Sequence, residues 1–152
     1  MKLRFRDVER ERRLELEETI PIAQLPLTTP DRPVLLDPVP VKLTAEFADG
    51  TAQISVEAEA RLTVLCARCL EPFPTSVKPV FDFEAGPDKD DIEVVDEVRQ
   101  HILLALPTQP LCSTGCRGLC SVCGANRNVH PCGCAAAGKT SPFDALKNFK
   151  IK

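Results

Sequence analysis

Apolar and polar positions alternate most regularly between residues 41 and 64. Val41-Lys42-Leu43-Thr44-Ala45-Glu46-Phe47 sends the two kinds of side chain to opposite faces, and residues 53–64 repeat the pattern through Ile54, Val56, Ala58, Ala60, Leu62 and Val64. A period of two is that of a half-buried strand. Asp49-Gly50 between the runs readily takes the positive φ angles of a tight hairpin turn. A third alternating run, residues 76–83, returns after Glu71-Pro72-Phe73-Pro74. Pro79 lacks an N–H for a sheet ladder, so this run is assigned to an edge. Residues 1–20 also read as extended, with Leu3 and Phe5 alternating with Arg4 and Arg6, and Leu14 and Leu16 with Glu15 and Glu17. A helix through the charged residues 7–18 is the rival reading.

Six of the 14 prolines fall between residues 21 and 40, which predicts a surface loop there and no helix. From residue 92 to 106 the period changes. Val95, Val98, Ile102 and Leu106 recur at three and four residues, acids gather at the start where the helix dipole favours them, and Pro107 stops the run. That is an amphipathic helix. Near the end, Ser141-Pro142 supplies an N-cap and a first helical residue for a short helix through Phe149. The predicted class is α+β: a small antiparallel sheet or partial barrel, one packed helix, and a cysteine-rich tail ending in a short helix. The expected divisions are an extended segment and Pro-rich loop over 1–40, a sheet-and-helix core over 41–111, and the tail over 112–152. With 152 residues, no Trp and no Tyr, the core is modest.

The chain's eight cysteines are spaced Cys66-x2-Cys69 and Cys112-x3-Cys116-x3-Cys120-x2-Cys123-x8-Cys132-x-Cys134. Thiolates two residues apart on a turn aim their sulfurs at one point, which suits a tetrahedral metal with bonds of about 2.3 Å. The first 18 residues are charged and hold no apolar run, so neither a signal peptide nor a membrane segment is expected there. The expected setting is a reducing cytoplasm, where such spacings favour zinc over disulfides. Cys132 and Cys134 are also too close in sequence to bridge without strain. Gly124 after Cys123 permits the backbone geometry that turns N–H groups toward sulfur. We therefore assign Cys120, Cys123, Cys132 and Cys134 to one local site, and Cys66, Cys69, Cys112 and Cys116 to another that ties the sheet corner to the helix exit. The rival pairing joins Cys66 and Cys69 to Cys120 and Cys123, and His130 is an alternative ligand.

Four thiolates fill a zinc coordination sphere and leave no position for substrate, so the sites read as structural. A redox role for Cys66-Ala67-Arg68-Cys69, with Arg68 lowering a thiol pKa, lacks the strand-then-helix setting of thioredoxin-like motifs. No phosphate loop, nucleophile elbow or Ser/His/Asp set is present. His101 and the carboxylates of Asp88, Asp90, Asp91 and Glu93 read as solvated. Charge is uneven along the chain. Residues 1–13 hold six Lys/Arg against three acids, residues 14–106 hold seven against eighteen, and residues 107–152 hold six against one. The acidic middle repels nucleic acid and the basic ends attract it.

Cys66-Ala67-Arg68-Cys69-Leu70-Glu71-Pro72-Phe73, the helix ending Ile102-Leu103-Leu104-Ala105-Leu106-Pro107, and Leu111-Cys112 through Cys116 together resemble the YceD family. Residues 118–128, Cys132-Gly133-Cys134 and Pro142-Phe143-Asp144-Ala145-Leu146 resemble the tail that many members carry. The resemblance spans roughly residues 40–150. It implies a role in accumulation of large-subunit ribosomal RNA, and it implies that the tail site is an accessory, because some members lack those cysteines. The expected protein is a non-enzymatic factor that binds 23S rRNA or a pre-large-subunit particle. Arg68, Arg117, Arg127, Lys139, Lys147, Lys150 and Lys152 are the candidate phosphate contacts. Stacking would fall to Phe73, Phe143 or Phe149, each more at home in a core, so backbone and shape reading is favoured. The alternative partner is a basic ribosomal protein held by the acidic sheet, and no membrane partner is expected.

Overall fold

The computed structural model describes residues 1–27, 33–88 and 91–134. β4 (Val39–Ala48) and β5 (Thr51–Ala58) form the hairpin that the alternation predicts. Asp49 and Gly50 take φ of 51° and 83°, the sign that a two-residue turn matching the strand twist requires. β2 (Arg13–Ile20) pairs along the whole of β4's first eight residues, and β8 (Val80–Ala85) pairs with β5, giving the antiparallel order β2-β4-β5-β8. Residues 13–20 thus lie in the same sheet as the hairpin. A second antiparallel sheet has the order β3-β6-β7, from Val34–Leu35, Ala60–Leu65 and Pro72–Val77. A ribbon pairs β1 (Lys2–Arg4) with β9 (Asp91–Glu93). The inner faces of both sheets and the two helices bury one apolar cluster that includes Leu43, Ile54, Val56, Leu62, Val98 and Ile102. The described residues form antiparallel sheets with two helices and no closed barrel.

Several boundaries differ from the sequence reading. Residues 53–64 are two strands in two sheets, as are residues 76–83. The first run changes sheet at Glu59, whose N–H donates to Pro40 O at 3.2 Å, while the Ala58 N–H donates to Pro79 O at 3.0 Å. The second changes sheet at Lys78-Pro79, and Lys78 Nζ lies 3.1 Å from Glu59 Oε2. Burial stays in phase through the first corner, with Ala58 and Ala60 inside and Glu59 outside, so alternation alone does not mark it. The edge assignment of Pro79 fits, since β8 and β7 are both outer strands.

The N-terminal stretch combines both readings: α1 (Phe5–Glu11) precedes β2. Phe5 and Val8, three apart, supply its buried face. Arg12 ends it at φ 65° and accepts a hydrogen bond from Phe47 N at 2.9 Å, with its guanidinium 5.0 Å from the Phe47 ring centroid. Among its described residues the proline-rich stretch, for which no helix is expected, holds one 3-10 turn, Ile22–Gln24, and it buries Leu25 and Leu35. The second helix, α2, runs from Val94 to Leu104 and buries Val94, Val98 and Ile102; Val94 takes the innermost place expected of Val95. His101 is not a free surface residue. Its ring stacks on Phe81 with centroids 3.7 Å apart, and its Nδ1 lies 2.9 Å from Glu97 O. The helix expected after Ser141 lies outside the described residues.

Leu43 is fully buried in the four-stranded sheet. Leu43→Ala should lower the unfolding free energy by about 2–5 kcal/mol, read as a shifted urea midpoint at unchanged slope.

Candidate metal centres

The first cysteine group forms where β6 ends. Cys66 follows the last residue of β6, and the chain turns through Ala67, Arg68 and Cys69 before β7 begins at Pro72. Leu70 takes φ 60° and donates its N–H to Cys66 O at 2.9 Å, while Cys66 N donates to Glu71 O at 2.9 Å. This is a strand-turn-strand corner. The segment leaving α2 closes on it from the other side, where Ala67 N donates to Pro110 O at 2.8 Å and Arg68 Nη1 donates to Cys116 O at 3.1 Å. Cys112 and Cys116 thereby join Cys66 and Cys69, and all four sulfurs lie within 4.8 Å of one another.

The Cys66–Cys116 and Cys69–Cys112 sulfurs are 3.8 and 3.7 Å apart. A tetrahedral thiolate site with metal–sulfur bonds of about 2.3 Å requires sulfurs about 3.8 Å apart. A disulfide requires about 2.05 Å, and all eight cysteines are free. The donor set therefore fits a tetrahedral metal ion. Cys66, Cys69 and Cys116 are buried and Cys112 is exposed, so the group sits under the surface with one ligand at its rim.

Cys120, Cys123, Cys132 and Cys134 form the second group, also within 4.8 Å. Its Cys120–Cys123 turn is built from backbone contacts: Gly124 N to Cys120 O at 2.8 Å, Cys120 N to Ala125 O at 2.8 Å, and Val122 N to Cys120 Sγ at 3.4 Å. Gly124 takes φ 73°, the left-handed backbone that glycine reaches without strain. His130 is in neither group; its N–H donates to Asn126 O.

Without metal the sulfurs of each group compete for protons. The Cys112 backbone N–H, followed by those of Cys69 and Arg68, holds the Cys66 thiol at about 6 despite its burial. N–H groups of Cys123 and Val122 hold Cys120 at about 6. Burial followed by the neighbouring thiols pushes Cys112 up to about 12, and the Cys123 sulfur, ahead of burial, pushes Cys134 up to about 12. At neutral pH each group thus holds at least one proton that a metal ion must displace.

The candidate phosphate contacts divide in two. Lys139, Lys147, Lys150 and Lys152 lie outside the described residues, as do Phe143 and Phe149. Arg68, Arg117 and Arg127 come together around the first group through their backbones. Leu119 N donates to Arg68 O at 3.0 Å, Arg127 N to Gly118 O at 3.0 Å, and Arg117 N to Asn128 Oδ1 at 2.8 Å. All three residues are exposed. Phe73 is half-buried against both the main core and the first cysteine group, so it belongs to packing. Two contributors went unread in the sequence. Gly118, at φ 68°, leaves only 3.0 Å between Arg68 O and the position of an added Cβ. Asn128 donates Nδ2 to Cys116 Sγ at 3.3 Å. Gly118 repeats the glycine signal seen at Gly124, two residues after a cysteine instead of one. Asn128 has no local signal, because its partner lies twelve positions earlier.

Residues 82–150 match the family described as large ribosomal RNA subunit accumulation protein YceD. The large ribosomal RNA subunit accumulation protein YCED homolog 1, chloroplastic, of Arabidopsis thaliana is 28% identical over 64 residues, or 42% of this chain. Both matches support the YceD family. The chain covers 20% of that Arabidopsis protein's length. No solved structure matches it significantly. The YceD match begins within β8 and takes in α2 and six cysteines, whereas Cys66 and Cys69 precede it. Among the described residues, no helix is long and apolar enough to cross a membrane.

Two outcomes follow from this geometry. Gly118→Ala should weaken metal binding at the first group, since a methyl group there meets the Arg68 carbonyl on a backbone that costs about 1–2 kcal/mol in the left-handed region; competition with a chromogenic chelator reads the loss. Metal affinity should also rise with pH, by about tenfold per unit for each proton displaced from thiols such as Cys112 and Cys134, and fall more steeply below about pH 6, where Cys66 and Cys120 also take protons. An affinity that is flat between pH 6.5 and 8 would contradict this proton accounting.

Proposed function

We propose that the chain is a non-enzymatic zinc-binding factor that promotes 23S rRNA accumulation and large-subunit assembly by binding rRNA or a pre-ribosomal particle. The match of residues 82–150 to the YceD family carries this reading, because the process in that family's description is large-subunit rRNA accumulation. Zinc is the metal best suited to four thiolates at these separations in a reducing compartment. A site closed by Cys66, Cys69, Cys112 and Cys116, and another closed by Cys120, Cys123, Cys132 and Cys134, hold the chain in shape and offer no open coordination position. Arg68, Arg117 and Arg127 on the corner, with Lys139, Lys147, Lys150 and Lys152 later in the sequence, are the proposed phosphate contacts. With the Arg68 guanidinium engaged by Cys116 O, Arg117 and Arg127 are the freer pair.

Purified chain should bind large-subunit rRNA with an affinity that falls as salt rises. Each phosphate contact adds about 0.7–0.9 to the slope of log affinity against log salt. Replacing Arg117 and Arg127 with Ser should therefore flatten that slope by about 1.5. Binding indifferent to salt, or none at all, would refute the RNA reading.

The alternative, an adaptor for a basic ribosomal protein, has its own support in the four-stranded sheet. Strand register aligns Glu15, Glu17, Glu46, Glu57, Asp82 and Glu84 on the outer face, against Arg13 and Lys42. This reading expects a basic ribosomal protein to be captured after nuclease treatment, and to be lost when Glu57 and Asp82 are changed to Lys.

A further inference from the structure

The eight residues between Cys123 and Cys132 form a loop closed by the second cysteine group, and this loop also reaches the first group. Asn128 stands at the contact. Its Oδ1 accepts from Arg117 N at 2.8 Å, so the carboxamide nitrogen faces the other way, toward Cys116 Sγ at 3.3 Å and Asn126 Oδ1 at 2.9 Å. A backbone N–H can only donate, which fixes the orientation of the amide. Asn126 is held in turn: its Oδ1 accepts from Asn128 N at 3.0 Å, and its Nδ2 donates to Glu71 Oε1, 3.4 Å away on the far side of the corner. Leu119 and Asn126 form a β-bridge, and Arg127 N donates to Gly118 O. The loop that the second group closes therefore supplies a hydrogen-bond donor to a ligand of the first.

We propose that the two metal sites are coupled through Asn128: metal in the second group fixes the 124–131 loop, and that loop delivers the Asn128 amide to the Cys116 thiolate, tightening the first site. This rests on the reading of both groups as metal sites. Asn128 is a positioning residue, not a ligand. An N–H donor to a metal-bound thiolate stabilises the charged sulfur, and loss of such outer contacts typically costs about 10–100-fold in metal affinity. An anchored loop holds the donor in place, whereas a loop tethered at one end must order itself each time. Coupling of this kind is reciprocal, so filling the first site tightens the second by the same factor.

The test is Co2+ titration of the full chain, followed by its thiolate charge-transfer and d–d absorption, with Zn2+ competition for affinity. Cys66→Ser/Cys69→Ser, which retains only the second site, assigns the signals. Cys132→Ser/Cys134→Ser should leave one metal, held at the first site at least about tenfold more weakly than in the unaltered chain. Asn128→Asp keeps all eight ligands and the acceptor for Arg117 N but removes the donor to sulfur. It should weaken the first site by a similar factor, and adding Cys132→Ser/Cys134→Ser to it should cause no further loss there. An unchanged first site in either variant, or losses that simply multiply when the two are combined, overturns the coupling. An unaltered chain that takes up no Co2+ or Zn2+ defeats the metal reading itself, a separate and recognisable result.

Discussion

Four sulfurs from two segments more than forty residues apart are gathered at the end of β6, and that approach is the constraint on which the C-terminal half depends. Buried thiolates repel one another and lose hydration. A group with Cys66 held near 6 and Cys112 near 12 is already dividing its protons to limit that repulsion. A divalent cation at its centre would remove the conflict and turn it into a bond between the β6–β7 corner and the exit of α2. The backbone contacts around it, Ala67 to Pro110 and Leu119 to Arg68, are few, and most of the chain from 107 to 134 lies outside regular secondary structure. Apolar burial does little to hold this segment. Among the described residues after Leu106, only Cys116 appears among the buried apolar side chains.

The same closure arranges charge. The outer face of β2-β4-β5-β8 carries six carboxylates, and its cross-strand ion pairs, Arg13 with Glu46 at 2.8 Å and Lys42 with Glu17 at 3.6 Å, neutralise only part of them. Arg68, Arg117 and Arg127 lie instead at the cysteine corner. Surface ion pairs of this kind add little stability, so the carboxylates' main effect is on which partners approach that face.

Sequence alone made much of this legible. The hairpin at Asp49-Gly50, the edge position of Pro79, the amphipathic α2 and the gathering of cysteines all follow from periods and spacings that local chemistry enforces. The sheet changes at Glu59 and Lys78-Pro79 were hidden because inside–outside alternation passes through both corners, and what breaks the strand is the competing hydrogen bond from Ala58 to Pro79, a tertiary event. The helix at Phe5–Glu11 was masked by a stretch of charge that both helix and strand tolerate; buried Phe5 and Val8 decide it. His101 was read as solvated because nothing local announces that Phe81, from a strand twenty residues earlier, offers it a flat apolar face. Asn128 was invisible for the same reason.

That last contact bears on how an accessory site relates to a defining one. The likeness to the YceD family implies that the second group is an accessory, because some members lack the tail cysteines. In this chain the tail loop reaches Cys116 and, through Asn126, Glu71 on the corner itself. The two descriptions agree if the second group adjusts the first without creating it. Cys66, Cys69, Cys112 and Cys116 come together without any tail ligand, so a chain lacking the tail cysteines keeps a complete coordination shell. It loses an outer donor, and with it a share of affinity on the scale of a second-shell hydrogen bond. Where the metal ion is plentiful that share would change little; where it is scarce the share would set how much of the first site is filled.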